Sequence, residues 1–259
     1  MTVLDLKNVH AAPWGEPLLH NIQLQVDAGD TLGIVGPNGA GKTSLLNVMA
    51  GVVPHSSGSV TLAQRDLSLW KPRERARHMA VLPQQSLLNF PFSVEEVILL
   101  GRTPHASGAK KDREILQQVL KATDTAHLRE QTYTQLSGGE KQRVQLARVF
   151  AQVWREEDAP SRLLLLDEPN TALDLAHQQL ILETLNSLTL SGCAAVVVMH
   201  DFNLLASVAT QVVAIHRGRQ HATGSAHEVF TTALFQQVFG VEVSIEKHPR
   251  HDYPVVIRG

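Results

Sequence analysis

Ile22, Leu24 and Val26 alternate with Gln23, Gln25 and Asp27, the period-two pattern of a strand with one solvated face. Ala28-Gly29-Asp30 supplies a turn, and Thr31 to Val35 is then apolar after its first residue, as a strand buried on both faces requires. Leu4 and Leu6 predict another strand at the start of the chain, pairing antiparallel. Leu163 to Leu166 and Ala194 to Met199 predict two more buried strands. Helical spacing appears over Ser44 to Ala50, at Ile115/Leu116/Val119/Leu120, over Val144 to Val153 and over Leu180 to Leu188. Strands alternating with helices predict an α/β fold around a mostly parallel sheet. Residues 85–158 carry no strong strand signal and read as a helical insertion within one fold. From Gly218 a polar stretch leads to a predicted helix, Glu228 to Phe239. Alternation at Val241, Val243 and Ile245, a turn over Pro249 to Pro254 and the apolar Val255 to Ile257 then predict a terminal hairpin. No repeat or low-complexity tract interrupts the pattern.

Composition narrows the class. Of 259 residues, 43% are hydrophobic and 19% charged, ordinary for a globular chain and unlike a disordered one. Lys plus Arg is 23 against 25 Asp plus Glu, so the basic excess of a nucleic-acid or anionic-lipid binder is missing. A single cysteine, Cys193, excludes an internal disulfide or a cysteine-rich zinc module and fits a reducing compartment. No apolar run approaches the ~20 residues of a membrane span, and the start Met-Thr-Val-Leu-Asp-Leu-Lys lacks signal-peptide character. The expectation is a soluble, cytoplasmic chain.

Three motifs carry chemistry. Gly36-Pro37-Asn38-Gly39-Ala40-Gly41-Lys42-Thr43 fits the phosphate-loop pattern G-x-x-x-x-G-K-[ST], directly after a buried strand and before a helix. Backbone N–H groups through Ser44 would cradle phosphate oxygens, Lys42 would reach the β- and γ-phosphates, and the Thr43 hydroxyl would ligate Mg²⁺. Chance produces such a match in about one chain in a hundred of this length, and the strand-loop-helix setting lowers that further. Leu163 to Leu166 then ends in Asp167-Glu168. At the C-terminal edge of a parallel sheet Asp167 is placed to hold Mg²⁺, and Glu168 to orient or deprotonate the attacking water. The plainer reading of those acids, a strand followed by a helix cap, loses weight beside a phosphate loop. Finally, Ser137 and Glu140 in Leu136-Ser137-Gly138-Gly139-Glu140-Lys141-Gln142-Arg143 form a capping box that starts a helix, and two bare glycines make its N-terminus a second anion site.

That last segment resembles, residue for residue, the signature of the ABC transporter ATPases. Other landmarks of the family follow in order over nearly the whole chain. Gln84 in Val81-Leu-Pro-Gln84-Gln85 is similar to the Q-loop residue, Thr171-Ala-Leu-Asp174 to the D-loop, and His200 to the switch histidine. The resemblance implies a P-loop NTPase cassette with a RecA-like, mostly parallel sheet, an N-terminal antiparallel β part and a helical subdomain. Residues 1–84 and 159–220 would form the catalytic lobe, 85–158 the helical subdomain, and 221–259 a C-terminal helix and hairpin. It implies ATP and Mg²⁺, with Gln84 joining Thr43 and Asp167 near the metal. It also implies a dimer in which Ser137, Gly138, Gly139 and Glu140 of one copy, with Asp174, approach the ATP held by the other. An aromatic residue usually stacks on adenine; Trp14 is the candidate here, with Pro13 the alternative under a shifted alignment. Ala151 to Arg162 is longer than the corresponding link in the family and is expected to be a charged surface loop.

Phe90-Pro-Phe92-Ser-Val94-Glu95-Glu96-Val97 and Leu100-Gly101-Arg102-Thr-Pro104-His105 resemble importers of iron chelates, haem and cobalamin. The added link before Leu163, Asp174-Leu-Ala-His177-Gln178 and the tail His248-Pro249…Asp252-Tyr-Pro254 resemble the haem importers most. This implies two permease subunits as partners, with docking around residues 84–101, a substrate-binding protein acting indirectly, and a peripheral position on the cytoplasmic face of the inner membrane. A ferric-siderophore or cobalamin importer is the alternative, and a non-transport ATPase acting on DNA or ribosomes is a third. The 13 histidines are scattered, so direct haem binding by this chain is not expected.

Overall fold

The computed structural model describes residues 1–13, 15–84 and 88–258. Strands β1 (Thr2–Ala11), β2 (Leu19–Asp27) and β3 (Thr31–Val35) lead into α1 (Lys42–Met49), followed by β4 (Ser57–Leu62), β5 (Arg65–Asp66), α2 (Pro72–His78) and β6 (Met79–Leu82). The middle holds α3 (Val94–Leu99), α4 (Ala109–Ala122) and α5 (Gly138–Val153). Then come β7 (Leu163–Asp167), α6 (Leu175–Leu190), β8 (Ala194–Val198), α7 (Phe202–Ala206), β9 (Gln211–His216) and β10 (Arg219–Gly224). Short helices α8 (Ala226–Val229) and α9 (Thr232–Leu234) and the hairpin β11 (Val243–Lys247) and β12 (Pro254–Arg258) complete the described chain.

Six strands form the central sheet in the order β10-β9-β3-β8-β7-β6, parallel except for β10. A second sheet, β2-β1-β4-β5, is antiparallel and carries the expected antiparallel pairing of the opening strand, which lies between β2 and β4. The pleat sends alternate side chains to opposite layers. Leu163 and Leu165 of β7 pack with Leu32, Ile34, Val196 and the α1 residues Leu45 and Met49. Leu164 and Leu166 pack with Ala195, Val197 and the α5 residues Val144 and Phe150. All four leucines are fully buried, each stabilising the fold by roughly 1.5–3 kcal/mol. No helix among the described residues is long and apolar enough to cross a membrane.

Several expectations are corrected. The single helix expected over Glu228 to Phe239 is interrupted: Phe230 leaves helical geometry, the Thr231 hydroxyl caps a new start by accepting from Leu234 N, and Phe235–Phe239 is a π-turn. Phe202 explains the tight turn, meeting Phe230, Phe235 and Phe239 edge-on with ring centroids 4.8–5.7 Å apart. The polar stretch after Gly218 is a strand, β10. Ala151 to Arg162 is not a detached surface loop. Ala151 and Val153 end α5 inside the core, Ser161 and Arg162 are buried, and Asp158 Oδ2 lies 2.7 Å from the guanidinium of Arg102. Arg102, itself buried, also reaches Asp112, Ser107 and the Ala151 carbonyl.

Candidate nucleotide-binding site

The C-terminal ends of β3, β7 and β8 lie side by side, and each delivers a different part of the site. β3 opens into the glycine loop. Gly36 has φ +156° and its Cβ position lies 2.2 Å from the Ile215 carbonyl of β9, so no side chain fits there. Gly41, with φ +104°, starts α1 in a conformation that L side chains rarely adopt. Asn38, Gly39, Ala40, Gly41, Lys42, Thr43 and Ser44 line a cavity of about 270 Å³ together with Leu18, Gln84, Glu168 and His200. Lys42 is buried, and its Nζ donates to the carbonyls of Gly36 at 2.8 Å and Pro37 at 3.0 Å. Burial pulls its pKa down, against the attraction of Glu168 and Asp167. An ammonium so placed is ready to exchange carbonyl partners for phosphate oxygens.

β7 delivers the acids. Asp167 is 4% exposed, and burial raises its pKa above the ordinary carboxylate range, with Thr43 and Lys42 pulling the other way. Its Oδ1 is buried without a hydrogen-bond partner. A cavity of about 260 Å³ beside it is lined by Thr43, Gln84 and Asp167. An orphaned carboxylate oxygen facing a hydroxyl and an amide is a hard oxygen set that fits Mg²⁺, which keeps several waters and takes few protein ligands.

Glu168 is the hub. Its φ of +52° lies in the left-handed region, a strained geometry for a non-glycine residue that aims the side chain away from the path of the strand. Its Oε1 accepts from His200 Nε2 at 2.8 Å and from Gln84 Nε2 at 3.3 Å, and its Oε2 accepts from the Thr171 hydroxyl at 3.3 Å. His200 comes from the end of β8 and Gln84 from the segment after β6, so two residues distant in sequence join the nearby Thr171 on one carboxylate. Thr171, the first residue of the Thr171-Ala-Leu-Asp174 stretch, is brought to Glu168 locally, by a turn in which its N–H also donates to the Glu168 carbonyl at 3.2 Å.

The signature segment stands apart from this cavity. Ser137 caps α5, its N–H and hydroxyl donate to Glu140 Oε2 at 2.8 and 2.7 Å, and these bonds hold the Glu140 carboxyl below its usual pKa. Gly138 opens onto free space, while a Cβ on Gly139 would sit 2.7 Å from the Ala172 carbonyl. Ser137, Gly138, Gly139 and Glu140 do not line the phosphate-loop cavity of their own chain. From one turn further along the same helix, Gln142 donates to the carbonyls of Glu168 and Pro169. Asp174 caps α6, accepting from His177 N at 2.9 Å. Trp14, the candidate adenine platform, lies outside the described residues.

Comparison with known proteins agrees with this geometry. Residues 19–171 match the model of the ABC transporter family. The Hemin import ATP-binding protein HmuV of Pseudomonas entomophila is 46% identical, the alignment covering 98% of this chain and 99% of that one. The protein of the same name from Gloeobacter violaceus is 44% identical over 94% and 89% of the two chains. Among solved structures, an inward-facing putative metal-chelate type ABC transporter superposes with a TM-score of 0.80 at 24% identity, covering 100% of this chain and 98% of that one. Sequence, strand-end geometry and kinship converge, and the chain belongs to the ABC transporter family as one of its ATP-binding cassettes.

Proposed function

We propose that the chain binds and hydrolyses ATP to power an importer of hemin. The observation that carries the reading is the meeting of Gln84, Thr171 and His200 on Glu168 at the mouth of the glycine-loop cavity, in a chain 46% identical over nearly its whole length to a hemin import ATP-binding protein. Trp14 stacks on adenine, the N–H groups of Gly36 to Ser44 hold the phosphates, and Lys42 draws off charge from the β- and γ-phosphates. Thr43, Gln84 and Asp167 hold Mg²⁺, which neutralises phosphate charge when bound. Glu168 accepts a proton from the attacking water, with Gln84 and His200 fixing its orientation and His200 contacting the γ-phosphate.

The signature residues Ser137 to Glu140 present a capped helix N-terminus that does not face their own cavity. They complete the site of a second copy, with Asp174 beside them, and the working unit is a dimer. Residues 1–84 and 159–220 act as the catalytic lobe, 85–158 as the helical subdomain and 221–259 as a C-terminal extension. Two permease subunits dock near residues 84–101, where Phe90 is 65% exposed against Phe92, and a substrate-binding protein supplies the cargo. The subunit thus sits peripherally at the cytoplasmic face of the inner membrane.

The test is ATPase activity of the chain assembled with its permease in vesicles. Hemin delivered with its binding protein should stimulate hydrolysis, whereas a ferric siderophore or cobalamin should not. Stimulation by either of those instead would reassign the cargo, and no hydrolysis in any condition would overturn the reading.

A further inference from the structure

His177 stands one turn into α6 and touches three charged residues from three elements. Its Nδ1 lies 2.8 Å from Asp174 Oδ1, and its Nε2 lies 3.2 Å from Asp124 Oδ2, just beyond α4. The guanidinium of Arg143, on the signature helix α5, also reaches Nε2. Arg143 is 7% exposed and lies 3.9 Å from Asp124. A guanidinium can only donate and a carboxylate can only accept, so Nδ1 donates to Asp174, while Nε2 serves Arg143 when bare and Asp124 when protonated. The backbone and side-chain N–H of His177 hold the Asp174 carboxyl below its ordinary pKa. Asp124, at φ +49° in the turn after α4, places its carboxylate beside both His177 and Arg143. The same helix is gripped a second time by Gln142 on the carbonyls of Glu168 and Pro169.

We propose that His177 is a positioning residue: it locks the signature helix, through Arg143, to Asp174 and the 168–174 segment, so that the two surfaces offered to a second copy move as one piece. The inference rests on the functional reading above, in which Ser137 to Gly139 and Asp174 act on the partner's ATP. The imidazole is the one ring in the cluster able to donate at one end and accept at the other. A substitute must therefore do both across the full span of the ring. Asparagine reproduces the donor toward Asp174 but stops short of Arg143. Glutamine reaches Arg143 but gives up the bond to Asp174.

The experiment measures ATP hydrolysis by the purified full-length chain with Mg²⁺, well below the unfolding midpoint of each variant. His177→Ala, His177→Asn and His177→Gln should each lower kcat about tenfold or more, as expected when reacting groups are held loosely. KM for ATP should stay within about twofold of wild type, since the cavity that binds ATP in the same chain is untouched. Arg143→Ala in the His177→Ala background should lower kcat no further than the worse single change, because both break one link. If the alanine variant does not fold, the glutamine and asparagine variants carry the same comparison. A kcat within twofold of wild type, a matching rise in KM, or additive effects of the two substitutions would each overturn the inference. A wild-type chain that hydrolyses no ATP either alone or assembled with its permease would instead sink the functional reading and this inference with it.

Discussion

His200 Nε2 donates to Glu168 Oε1 across 2.8 Å, while the other oxygen of the same carboxylate accepts from Thr171. The imidazole is 50% exposed and the carboxylate 20%, so the pair sits at the rim of the site, where a water and a phosphate can both reach it.

Glu168→Gln should retain ATP binding and lose about 10²–10³-fold in kcat, the scale of a removed general base. His200→Ala should cost less in that background than alone, since of its two contacts the one to Glu168 is shared. Equilibrium binding of a fluorescent ATP analogue and phosphate release would measure the two halves of this expectation, and ordinary turnover in the glutamine variant would remove Glu168 from its role.

Asp167→Asn should separate stability from activity. Burial, first, raises the Asp167 carboxyl above its ordinary range. A folded-state value above the unfolded one favours the neutral form, so the stability it contributes is present below about pH 4 and lost as pH rises through the raised value. At neutral pH the buried charge is a burden. Loss of attraction to Lys42 and relief of repulsion from Glu168 run against each other. The amide should raise Tm by about 2–4 °C, as about 1 kcal/mol would in a domain of this size, while Mg²⁺-dependent hydrolysis collapses. A lower Tm by calorimetry would contradict this.

Arg102→Ala should destabilise the chain by about 3 kcal/mol, because Asp112 and Asp158 lose a buried counter-charge. Arg102→Lys should rescue little, since one ammonium cannot replace a planar fork that spans two carboxylates, a hydroxyl and a carbonyl. Urea midpoints of the three proteins decide the matter, and a lysine variant at the wild-type midpoint would refute the fork argument.

Acid should weaken the fold through His78 and His105. Burial lowers both imidazoles below their ordinary value, aided by the charges of Arg77 and Arg102 respectively, while the Ser161 and Gln152 carbonyls oppose it. Depressed folded values mean that the unfolded chain binds more protons near pH 6.5, so this stability is full above that pH and is lost as pH falls toward 5.5. The Tm difference between pH 7.5 and 5.5 should shrink in the double variant His78→Gln/His105→Gln. An unchanged difference would assign the acid sensitivity elsewhere.

What could be read from the sequence follows from where the constraints act. Gly36 to Thr43 and Ser137 to Glu140 are legible because phosphate loops and helix caps fix residue types at short spacings. β3, β7 and β8 are legible because both faces of each are buried, leaving unbroken apolar runs. β10 is not legible because its residues are polar and half exposed, and its place is set by pairing with β9. The break at Phe230 depends on Phe202, 28 positions earlier, and no local pattern announces it. The same holds for the cluster at His177, where Asp124 arrives from the turn after α4 and Arg143 from α5, and for the burial of Arg162, whose charge suggests a surface position but whose guanidinium meets the Val153 and Ser191 carbonyls.

The alternating side chains of β7 have one more consequence. Leu163 and Leu165 belong to the layer beneath the phosphate loop, Leu164 and Leu166 to the layer beneath the signature helix, and the next two residues are Asp167 and Glu168. Sliding this strand by a single residue would still set leucine on leucine at three of the four slots, but it would push Asp167 or Arg162 into the fourth and carry both acids off their marks in the same step. The fold therefore proofreads its own chemistry at the end of the run: a chain that has packed both layers without driving a charge into a leucine slot has already put its acids in place.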